Sequence, residues 1–462
     1  MSHSIGKNFG YNIILTMSTY IFGLIVFPYV SRVLGVDMIG RVNFADQTVN
    51  YLRILAAMGV GTVGVREIAT CGDDREKRSQ VFSDIFSFVL ILASAALVAL
   101  ALLTVFVPKL TEIKSLLFIG SFYLFFSSIM IEWFYQGIED FRFVTIRSVI
   151  VKCVYVLLVF LLVKSPEDFC IYYLLMTACI VINALINLTY SRRFVRLDLR
   201  RAHPGRYAKS ILSLGVYMIM LSFFSTFNVI YLGMVKGEHE VGIYTTATKI
   251  YMLILGILSA YTAVMMPRMT SLLSENKVDE FKCKLYGSFN LVFCVAFPLI
   301  AGGIILAPQI IGVLAGEQYM EALPVMRIIM PLVLIIGLAQ IWVMQILLPM
   351  KKDNVVLWSA IVSAVVGVLL NVCLVGKFSY IGSAAAMLGA ELTNDTITFV
   401  YALKKGYLVF PLKRMFGYLL ASLPYLVICL SCSILLKNAF VALGIAMVLC
   451  LGWFAAVVRI YR

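Results

Sequence analysis

Stretches of about 20 mainly apolar residues recur along this chain from one end to the other. Wound into an α-helix, a stretch of this length crosses the roughly 30 Å hydrocarbon core of a bilayer. Of the 462 residues, 62% are hydrophobic and only 13% are charged. A water-soluble fold could not bury that much apolar surface. We therefore predict an all-α polytopic membrane protein.

Hydropathy and length together predict about fourteen transmembrane helices. The predicted spans are 9–31, 40–64, 81–107, 115–138, 146–164, 169–190, 211–234, 241–265, 284–307, 322–347, 355–376, 379–403, 414–436 and 439–459. The first span lacks a small-residue cleavage site and is followed closely by the second. We therefore interpret it as a retained helix rather than a signal peptide.

The positions of the basic residues predict the orientation of the chain. Of the 38 Lys and Arg residues, 26 fall in one set of alternate connections, which includes Arg142 and Arg147, and 8 fall in the other set. By the positive-inside rule the richer set faces the cytoplasm, so both termini are predicted to be cytoplasmic. The most basic connection, 191–210, is predicted to lie against anionic membrane lipid. The net charge of +14 then reflects topology, and we expect no nucleic-acid partner.

An internal repeat divides the chain. Shifting the sequence by 202 residues aligns Tyr29 with Tyr231 and Arg66 with Arg268 without a gap. The offset corresponds to six spans, an even number, so the two copies enter the membrane from the same side as parallel repeats. The repeat predicts two pseudo-symmetric six-helix lobes that enclose a cleft, with two C-terminal helices appended. The predicted parts are an N-terminal lobe, 1–190, a basic cytoplasmic linker, 191–210, a C-terminal lobe, 211–403, and the appended helices 13 and 14, 404–462.

Charged residues interrupt several predicted spans, although a charge at mid-bilayer costs about 2.5–3.5 kcal/mol on insertion scales. Asp46, Asn50 and Arg53 are spaced by four and three residues, which places them on one stripe of the second span. Interhelical pairs, such as Lys152 with Glu132, are the structural alternative. The candidate substrate-binding residues are Arg53, Lys249, Lys152, Asn50 and Arg32, and the candidate ion-coupling or gating residues are Asp46, Glu132, Glu391 and Asp395.

Neither the cysteines nor the histidines predict a metal or redox site. Cys429 and Cys432 have C-x-x-C spacing, but inside an apolar span we interpret them as one packing face. All three histidines lie outside the predicted spans. The chain also lacks the G-x-x-x-x-G-K-[ST] motif of nucleotide-binding loops. We therefore expect no metal, no cofactor, no catalytic residue and no enzymatic activity.

Several sequence segments together carry a family resemblance. They are PYVSRVLGVDMIGRVNFA (28–45), GVREIA (64–69), EWFYQGIEDFRFVTIRSVIVK (132–152), VGIYTTATKIY (241–251), MMPRMTSLL (265–273) and GSAAAMLGAELTND (382–395). The segment at 132–152 is the most specific of them. The chain resembles the polysaccharide-unit exporters, which are the O-antigen and capsule flippases of the multidrug/oligosaccharidyl-lipid/polysaccharide exporter superfamily.

The resemblance implies a protein of the bacterial cytoplasmic (inner) membrane. It implies that an undecaprenyl-diphosphate-linked oligosaccharide repeat unit moves from the cytoplasmic to the outer leaflet by alternating access, and that cavity cations meet its diphosphate or acidic sugars. A polymerase or glycosyltransferases of the same pathway are further candidate partners. Such a cargo needs a hydrated path, because each sugar hydroxyl costs several kcal/mol to dehydrate into hydrocarbon.

Three alternatives stay open. A lipid II flippase would use the same chemistry on a different headgroup. A cation-coupled drug or metabolite antiporter of the same superfamily needs acidic groups, which Asp46, Glu391 and Asp395 could supply, although the first span has none. A membrane polysaccharide polymerase or glycosyltransferase usually carries a substantial extracytoplasmic loop, whereas every predicted outside connection is short.

Overall fold

The structure, a computed structural model, describes residues 5–406, 410–436 and 438–460. Within these ranges it does not describe the side chains of residues 5, 6, 8, 9, 12, 13, 213, 214, 216–225, 257, 260, 263, 264 and 458–460. The described residues form helices and no strand.

The α-helices are α1 (Ile5–Ala57), α2 (Val60–Ala69), α3 (Arg75–Phe106), α4 (Pro108–Thr111), α5 (Lys114–Ser128), α6 (Glu132–Gly137), α7 (Phe141–Leu162), α8 (Phe169–Ser191), α9 (Ala208–Val235), α10 (Glu238–Ser274), α11 (Val278–Ile305), α12 (Ala307–Leu314), α13 (Leu323–Ile329), α14 (Leu332–Trp342), α15 (Asp353–Lys404), α16 (Leu412–Ala421), α17 (Leu423–Leu435) and α18 (Ala439–Ile460). Short 3-10 helices at Pro166–Asp168 and Glu317–Ala322 and a π-helical turn at Val343–Leu347 complete the regular structure.

Contacts within the chain divide it into two compact units, unit 1 (Met1–Ile230) and unit 2 (Tyr231–Arg462). The division falls near the C-terminal end of α9, 20 residues beyond the basic connection 191–210. The predicted lobe boundaries and the symmetry between the lobes stay predictions.

Two helices are much longer than a bilayer is thick. Helix α1 has 53 residues and α15 has 52, which is about 80 Å of helix at 1.5 Å per residue. Each contains one residue with non-helical backbone angles, Gly35 (φ 77°, ψ 177°) in α1 and Ser379 (φ 50°, ψ −131°) in α15. Gly35 falls between the predicted spans 9–31 and 40–64, and Ser379 is the first residue of the predicted span 379–403. Gly35 suits its break because glycine adopts a positive φ without steric cost.

Other predicted spans are interrupted inside the apolar stretch. Helix α5 ends at Ser128 and α6 begins at Glu132, and Ile131 between them has a φ of 48°. In unit 2, the helical segments Glu317–Ile329 and Leu332–Leu347 meet at a bend of 41°. These breaks turn two predicted straight spans into two pairs of shorter helices.

Nine of the described helices are long and apolar enough to cross a membrane, and the bent pair would be a tenth. In this count Ile14–Ala69 and Asp353–Lys404 each appear once, although each contains a break and is long enough for two crossings. The predicted all-α polytopic architecture is confirmed. The number of fourteen crossings stays a prediction.

The core of unit 1 is built around the E-W-F-Y-Q-G segment of α6. Trp133, Phe134 and Tyr135 are each at most 6% exposed. The ring of Phe82 on α3 lies 5.2 Å from that of Phe134 and 5.7 Å from that of Trp133. Helix α2 packs closely on α6 because Gly64 has no side chain: a Cβ atom there would lie 2.4 Å from Trp133. This segment therefore belongs to the packed core.

Candidate functional site

Arg53 lies in the second half of α1 and is half-buried. Its Nε donates a hydrogen bond to Oδ1 of Asn50, one turn earlier, at 2.9 Å. No carboxylate oxygen of a described residue lies within 4.0 Å of an Arg53 side-chain nitrogen, so Arg53 forms no ion pair with a described residue. The structure thus joins two of the three residues that the sequence placed on one stripe, Asn50 and Arg53, and the described partner of the cation is neutral.

Lys152 projects from α7 towards the first half of α1. Its Nζ donates to Thr19 Oγ1 at 2.6 Å and lies 3.4 Å from Ser18 Oγ. Among the described residues it forms no ion pair, so the alternative pairing with Glu132 is absent. Lys152 is therefore a second cation of unit 1 that has only neutral hydrogen-bond partners.

Glu132 instead pairs with Arg147. Arg147 Nη2 lies 2.9 Å from Glu132 Oε1 and also donates to Ser148 Oγ at 2.8 Å. Its Nη1 donates to Asn187 Oδ1 and to the carbonyl of Asn183. Because α7 begins at Phe141, Arg147 lies inside the helix and is buried, whereas the sequence analysis assigned it to a connection. The sequence did mark this residue, because Arg147 is the arginine of the T-I-R-S stretch within the family segment 132–152.

Asp46 and Arg32 also lie on α1. Asp46 is half-buried and lies in the same part of unit 1 as Tyr123, Tyr172 and Tyr173. Arg32 is exposed, and its Nη1 donates to the carbonyl of Pro28 at 3.0 Å, one turn earlier. Arg32 therefore lies against its own helix, whereas Asp46 lies in a tyrosine-rich part of unit 1.

Unit 2 contains a pair of acidic residues on α15. Glu391 and Asp395 are four residues apart, and neither forms an ion pair with a described residue. Asp395 Oδ1 is buried without a hydrogen-bond partner among the described residues, and the indole of Trp342 donates to Thr398 Oγ1, one turn further along α15, at 3.2 Å. The Tyr251 hydroxyl of α10 is buried and has no hydrogen-bond partner among the described residues. We call Glu391, Asp395, Trp342 and Tyr251 the acidic pocket.

Lys249, the candidate cation of unit 2, is exposed on α10. No group of three or more His, Cys, Asp or Glu side chains among the described residues could hold a metal ion. Cys429 and Cys432 are buried and pack with Leu306 and Ala446, as the packing interpretation of their spacing requires.

An apolar groove of about 440 Å³ runs between α11, α17 and α18 of unit 2. Its wall includes Leu299, Leu306, Leu443 and Met447. Carbon-rich walls of this kind suit a hydrocarbon chain better than a polar ligand.

Comparison with known proteins identifies the family. The model of the family described as polysaccharide biosynthesis protein matches residues 5–273, more than half of the chain. The chain belongs to this family. The resemblance to polysaccharide-unit exporters is thereby confirmed.

Curated relatives of this polysaccharide biosynthesis protein are named for transport. A protein named as an O-antigen transporter in Escherichia coli K12 is 25% identical over 430 residues, which cover 88% of this chain and 98% of the relative. A protein of the same name in Shigella dysenteriae is 25% identical over 387 residues, covering 81% and 94%. A protein named as a low-salt glycan biosynthesis flippase in Haloferax volcanii is 21% identical over 183 residues, 39% of each chain.

Solved structures show the same fold. The lipid II flippase MurJ in its inward closed conformation superposes with a TM-score of 0.78 at 16% identity, covering 98% of this chain and 99% of that one. An inward-facing multidrug resistance transporter of the MATE family gives 0.66 at 16% identity, covering 84% and 94%. At these identities the likeness shows the fold alone. The class of the protein, a membrane transporter and not an enzyme, follows from its family and its curated relatives.

Proposed function

We propose that this protein is a flippase that moves an undecaprenyl-diphosphate-linked oligosaccharide repeat unit from the cytoplasmic to the outer leaflet of the bacterial cytoplasmic membrane by alternating access. The names of the curated relatives support this class of cargo. The observation that carries the proposal concerns two cations inside apolar helices of unit 1: among the residues that the structure describes, Arg53 and Lys152 have only neutral hydrogen-bond partners.

Cations within a membrane span normally pair with an anion or face water, because a bare charge in hydrocarbon is costly. Arg53 has the amide oxygen of Asn50, and Lys152 has two hydroxyls. A diphosphate would supply the missing negative charge, and hydrogen bonds between ionised partners are about twice as strong as neutral ones. These two residues are therefore suited to meet the headgroup of an anionic lipid.

The rest of the cargo has two opposite requirements. The sugar hydroxyls need polar surroundings during the crossing, whereas the polyprenyl tail can remain in hydrocarbon throughout. Alternating access by two helical lobes meets both requirements, because it opens a polar path to one side at a time and leaves the tail in the lipid. The glycosyltransferases of the pathway would supply the cargo, and the polymerase would consume it.

The acidic pocket favours a coupling ion. Two carboxylates without a described cationic partner would be stabilised by a bound proton or sodium ion. The same observation favours the second candidate function, a cation-coupled antiporter of small molecules. A coupled flippase and an antiporter differ in cargo rather than in this pocket, so the experiment must follow the sugar.

The test is made in cells that lack the chromosomal gene and express variants of this chain. Arg53→Gln and Lys152→Gln should abolish surface polysaccharide at unchanged protein abundance, and the lipid-linked repeat unit should accumulate on the inner leaflet. Arg192→Gln, in the exposed basic connection, is the matched control and should export normally. Normal export by both cation variants would show that Arg53 and Lys152 are not needed for binding the cargo. Lipid II accumulation in place of the repeat unit would indicate the lipid II alternative.

A further inference from the structure

The basic connection between α8 and α9 is fastened to α3 through its backbone, and both parts belong to unit 1. The backbone N–H groups of Arg196 and Asp198 donate to Ser79 Oγ and Ser83 Oγ, each at 3.0 Å. These two hydrogen bonds follow successive turns near the start of α3. We call residues 192–206, which lie along this part of the helix, the strap.

Asp84 of α3 is the buried anchor of the strap, and its side chain is 0% exposed. Its Oδ1 accepts from the backbone N–H of His203 at 2.7 Å, and its Oδ2 forms an ion pair with Arg206 Nη1 at 3.0 Å. Gln80 Nε2 donates both to Asp84 Oδ1 at 2.7 Å and to the carbonyl of Arg201 at 3.0 Å. A buried carboxylate is costly without such partners. Asp84 therefore fixes the strap in one position on α3.

The strap covers the side of α3 that faces lipid. Asp84 is followed on this helix, at intervals of seven residues or nearly two turns, by Ile91, Val98 and Val105. These three aliphatic residues are 55%, 60% and 73% exposed, as expected of side chains that contact hydrocarbon rather than water. At Asp84 the same stripe is covered, and residues 81–86 are all buried. The strap therefore lies where α3 would otherwise meet the bilayer.

The length of α3 gives the depth of the strap in the bilayer. From Asp84 to Val105 the helix rises about 32 Å at 1.5 Å per residue. The hydrocarbon core of a bilayer is about 30 Å thick, and the headgroup regions extend it to about 40–45 Å. With Val105 at one edge of the hydrocarbon, Asp84 and the strap lie at the level of the lipid headgroups at the other edge.

The outer surface of the strap is basic. Arg192, Arg196 and Arg200 are exposed, and none of them forms an ion pair with a described residue. The strap has one carboxylate, Asp198, whose Oδ1 accepts from the backbone N–H of Arg200 at 3.0 Å. The neighbouring segment 73–78 carries three acidic and three basic residues, so it adds no net charge. The three unpaired arginines are therefore available to an anionic partner.

The strap also exposes apolar side chains. Leu197 and Leu199 are 46% and 50% exposed, and they alternate with Arg196 and Asp198, whose N–H groups are bonded to α3. Segments that combine basic and apolar side chains bind at the bilayer interface, with the charges at the headgroups and the apolar groups among the acyl chains. The strap therefore matches an anionic bilayer surface in both charge and polarity.

We propose that the strap is a docking surface for anionic glycerophospholipids of the adjoining leaflet. Their phosphates contact Arg192, Arg196 and Arg200, and their acyl chains contact Leu197 and Leu199. The buried carboxylate that anchors the strap acts as a positioning residue, because it holds the backbone that carries the arginines and touches no lipid. The site contains none of the candidate cargo-binding residues, so the inference does not rest on the identity of the cargo.

The experiment titrates lipid onto the purified full-length protein in detergent and measures binding by native mass spectrometry. The probes are phosphatidylglycerol and phosphatidylcholine with the same acyl chains, and inorganic phosphate is the competitor. The double variant Arg196→Gln/Arg200→Gln removes two charges from exposed positions, so it leaves the packed core intact. Asp84→Asn keeps these arginines and breaks the ion pair that anchors the strap. Lys404→Gln/Lys405→Gln, at exposed positions of unit 2, is the control with the same loss of charge.

The proposal predicts that the wild type and the lysine control bind phosphatidylglycerol more tightly than phosphatidylcholine. Arg196→Gln/Arg200→Gln should weaken phosphatidylglycerol binding by about 30-fold, since each basic residue near an anionic surface contributes about 1 kcal/mol. Asp84→Asn should reduce the ratio of the two affinities, which a loss of stability alone does not change.

Three results would overturn the proposal. The first is equal affinity of the wild type for the two lipids, or a wild-type preference in the double arginine variant. The second is an equal loss of preference in the lysine control, because total charge rather than the strap would then decide binding. The third is displacement of phosphatidylglycerol by an equal concentration of inorganic phosphate, because the site would then recognise a free anion.

Discussion

Arg147 Nη2 lies 2.9 Å from Glu132 Oε1, in an ion pair that ties α7 to the first residue of α6. The Arg147 side chain is 4% exposed and that of Glu132 is 34% exposed, so the pair is partly shielded from water. Asn187 of α8 adds to the same network by donating to the carbonyl of Met130 at 2.5 Å. Helices α7 and α8 therefore both stabilise the break between α5 and α6.

The first prediction concerns this ion pair. Glu132→Ala leaves the buried Arg147 guanidinium short of an anionic partner, and the free energy of unfolding should fall by about 1–3 kcal/mol. The melting temperature of the purified protein in detergent measures the loss. Glu112→Ala is the control: its pair with Lys109 at 2.8 Å is more exposed, and such pairs contribute about 0–1 kcal/mol. Equal losses of melting temperature in the two variants would show that the buried pair stabilises the protein no more than the exposed one.

The second prediction compares two glycines of α2. A Cβ atom at Gly64 would lie 2.4 Å from the Trp133 ring, whereas one at Gly61 would meet nothing within 4 Å. Gly64→Ala should therefore destabilise the protein by about 1–3 kcal/mol through overpacking. Gly61→Ala should stabilise it by up to about 1 kcal/mol, because alanine favours the helix. Thermal unfolding of both variants in the same detergent decides the matter, and a stabilising Gly64→Ala would contradict the close packing of α2 on α6.

The third prediction concerns the acidic pocket. If Glu391 and Asp395 bind a coupling ion, transport by the wild type responds to an imposed proton or sodium gradient, and Asp395→Asn removes the response. Asp353→Asn, an exposed change at the start of the same helix, should preserve it. Initial transport rates in vesicles with one gradient at a time provide the measurement. A wild-type rate that is indifferent to both gradients would exclude an ion site here.

The helical, membrane-spanning architecture could be predicted from the sequence because apolarity over a 20-residue window reports directly on the surrounding solvent. The sequence also placed a boundary near each break in the two long helices: Gly35 lies between the predicted spans 9–31 and 40–64, and Ser379 is the first residue of the predicted span 379–403. Hydropathy did not reveal the breaks near Ile131 and between Ile329 and Leu332, because an apolar window has the same mean whether or not the helix is continuous.

The candidate site was predicted only where its contacts are local. Arg53 and Asn50 are one turn apart, and helical spacing alone places them together. The partners of Arg147 and Lys152 come from other helices: Asn187 is 40 residues from Arg147, and Thr19 is 133 residues from Lys152. Such pairings depend on how helices pack, which one sequence does not reveal. Substrate contact by Arg53, Lys152, Lys249, Asn50 and Arg32 stays a prediction.

The fourth prediction is the most direct test of the central claim, that cations in unit 1 serve the crossing of a lipid-linked oligosaccharide. The purified protein is reconstituted in vesicles that contain the lipid-linked unit with a labelled sugar, and a membrane-impermeant reagent reports how fast the label reaches the other leaflet. The wild type should move the lipid much faster than empty vesicles do. Arg53→Gln should slow this by about tenfold or more, because the proposed charge-assisted contact with the diphosphate would be lost. A wild-type rate equal to that of empty vesicles, or an Arg53→Gln rate equal to that of the wild type, would contradict the account.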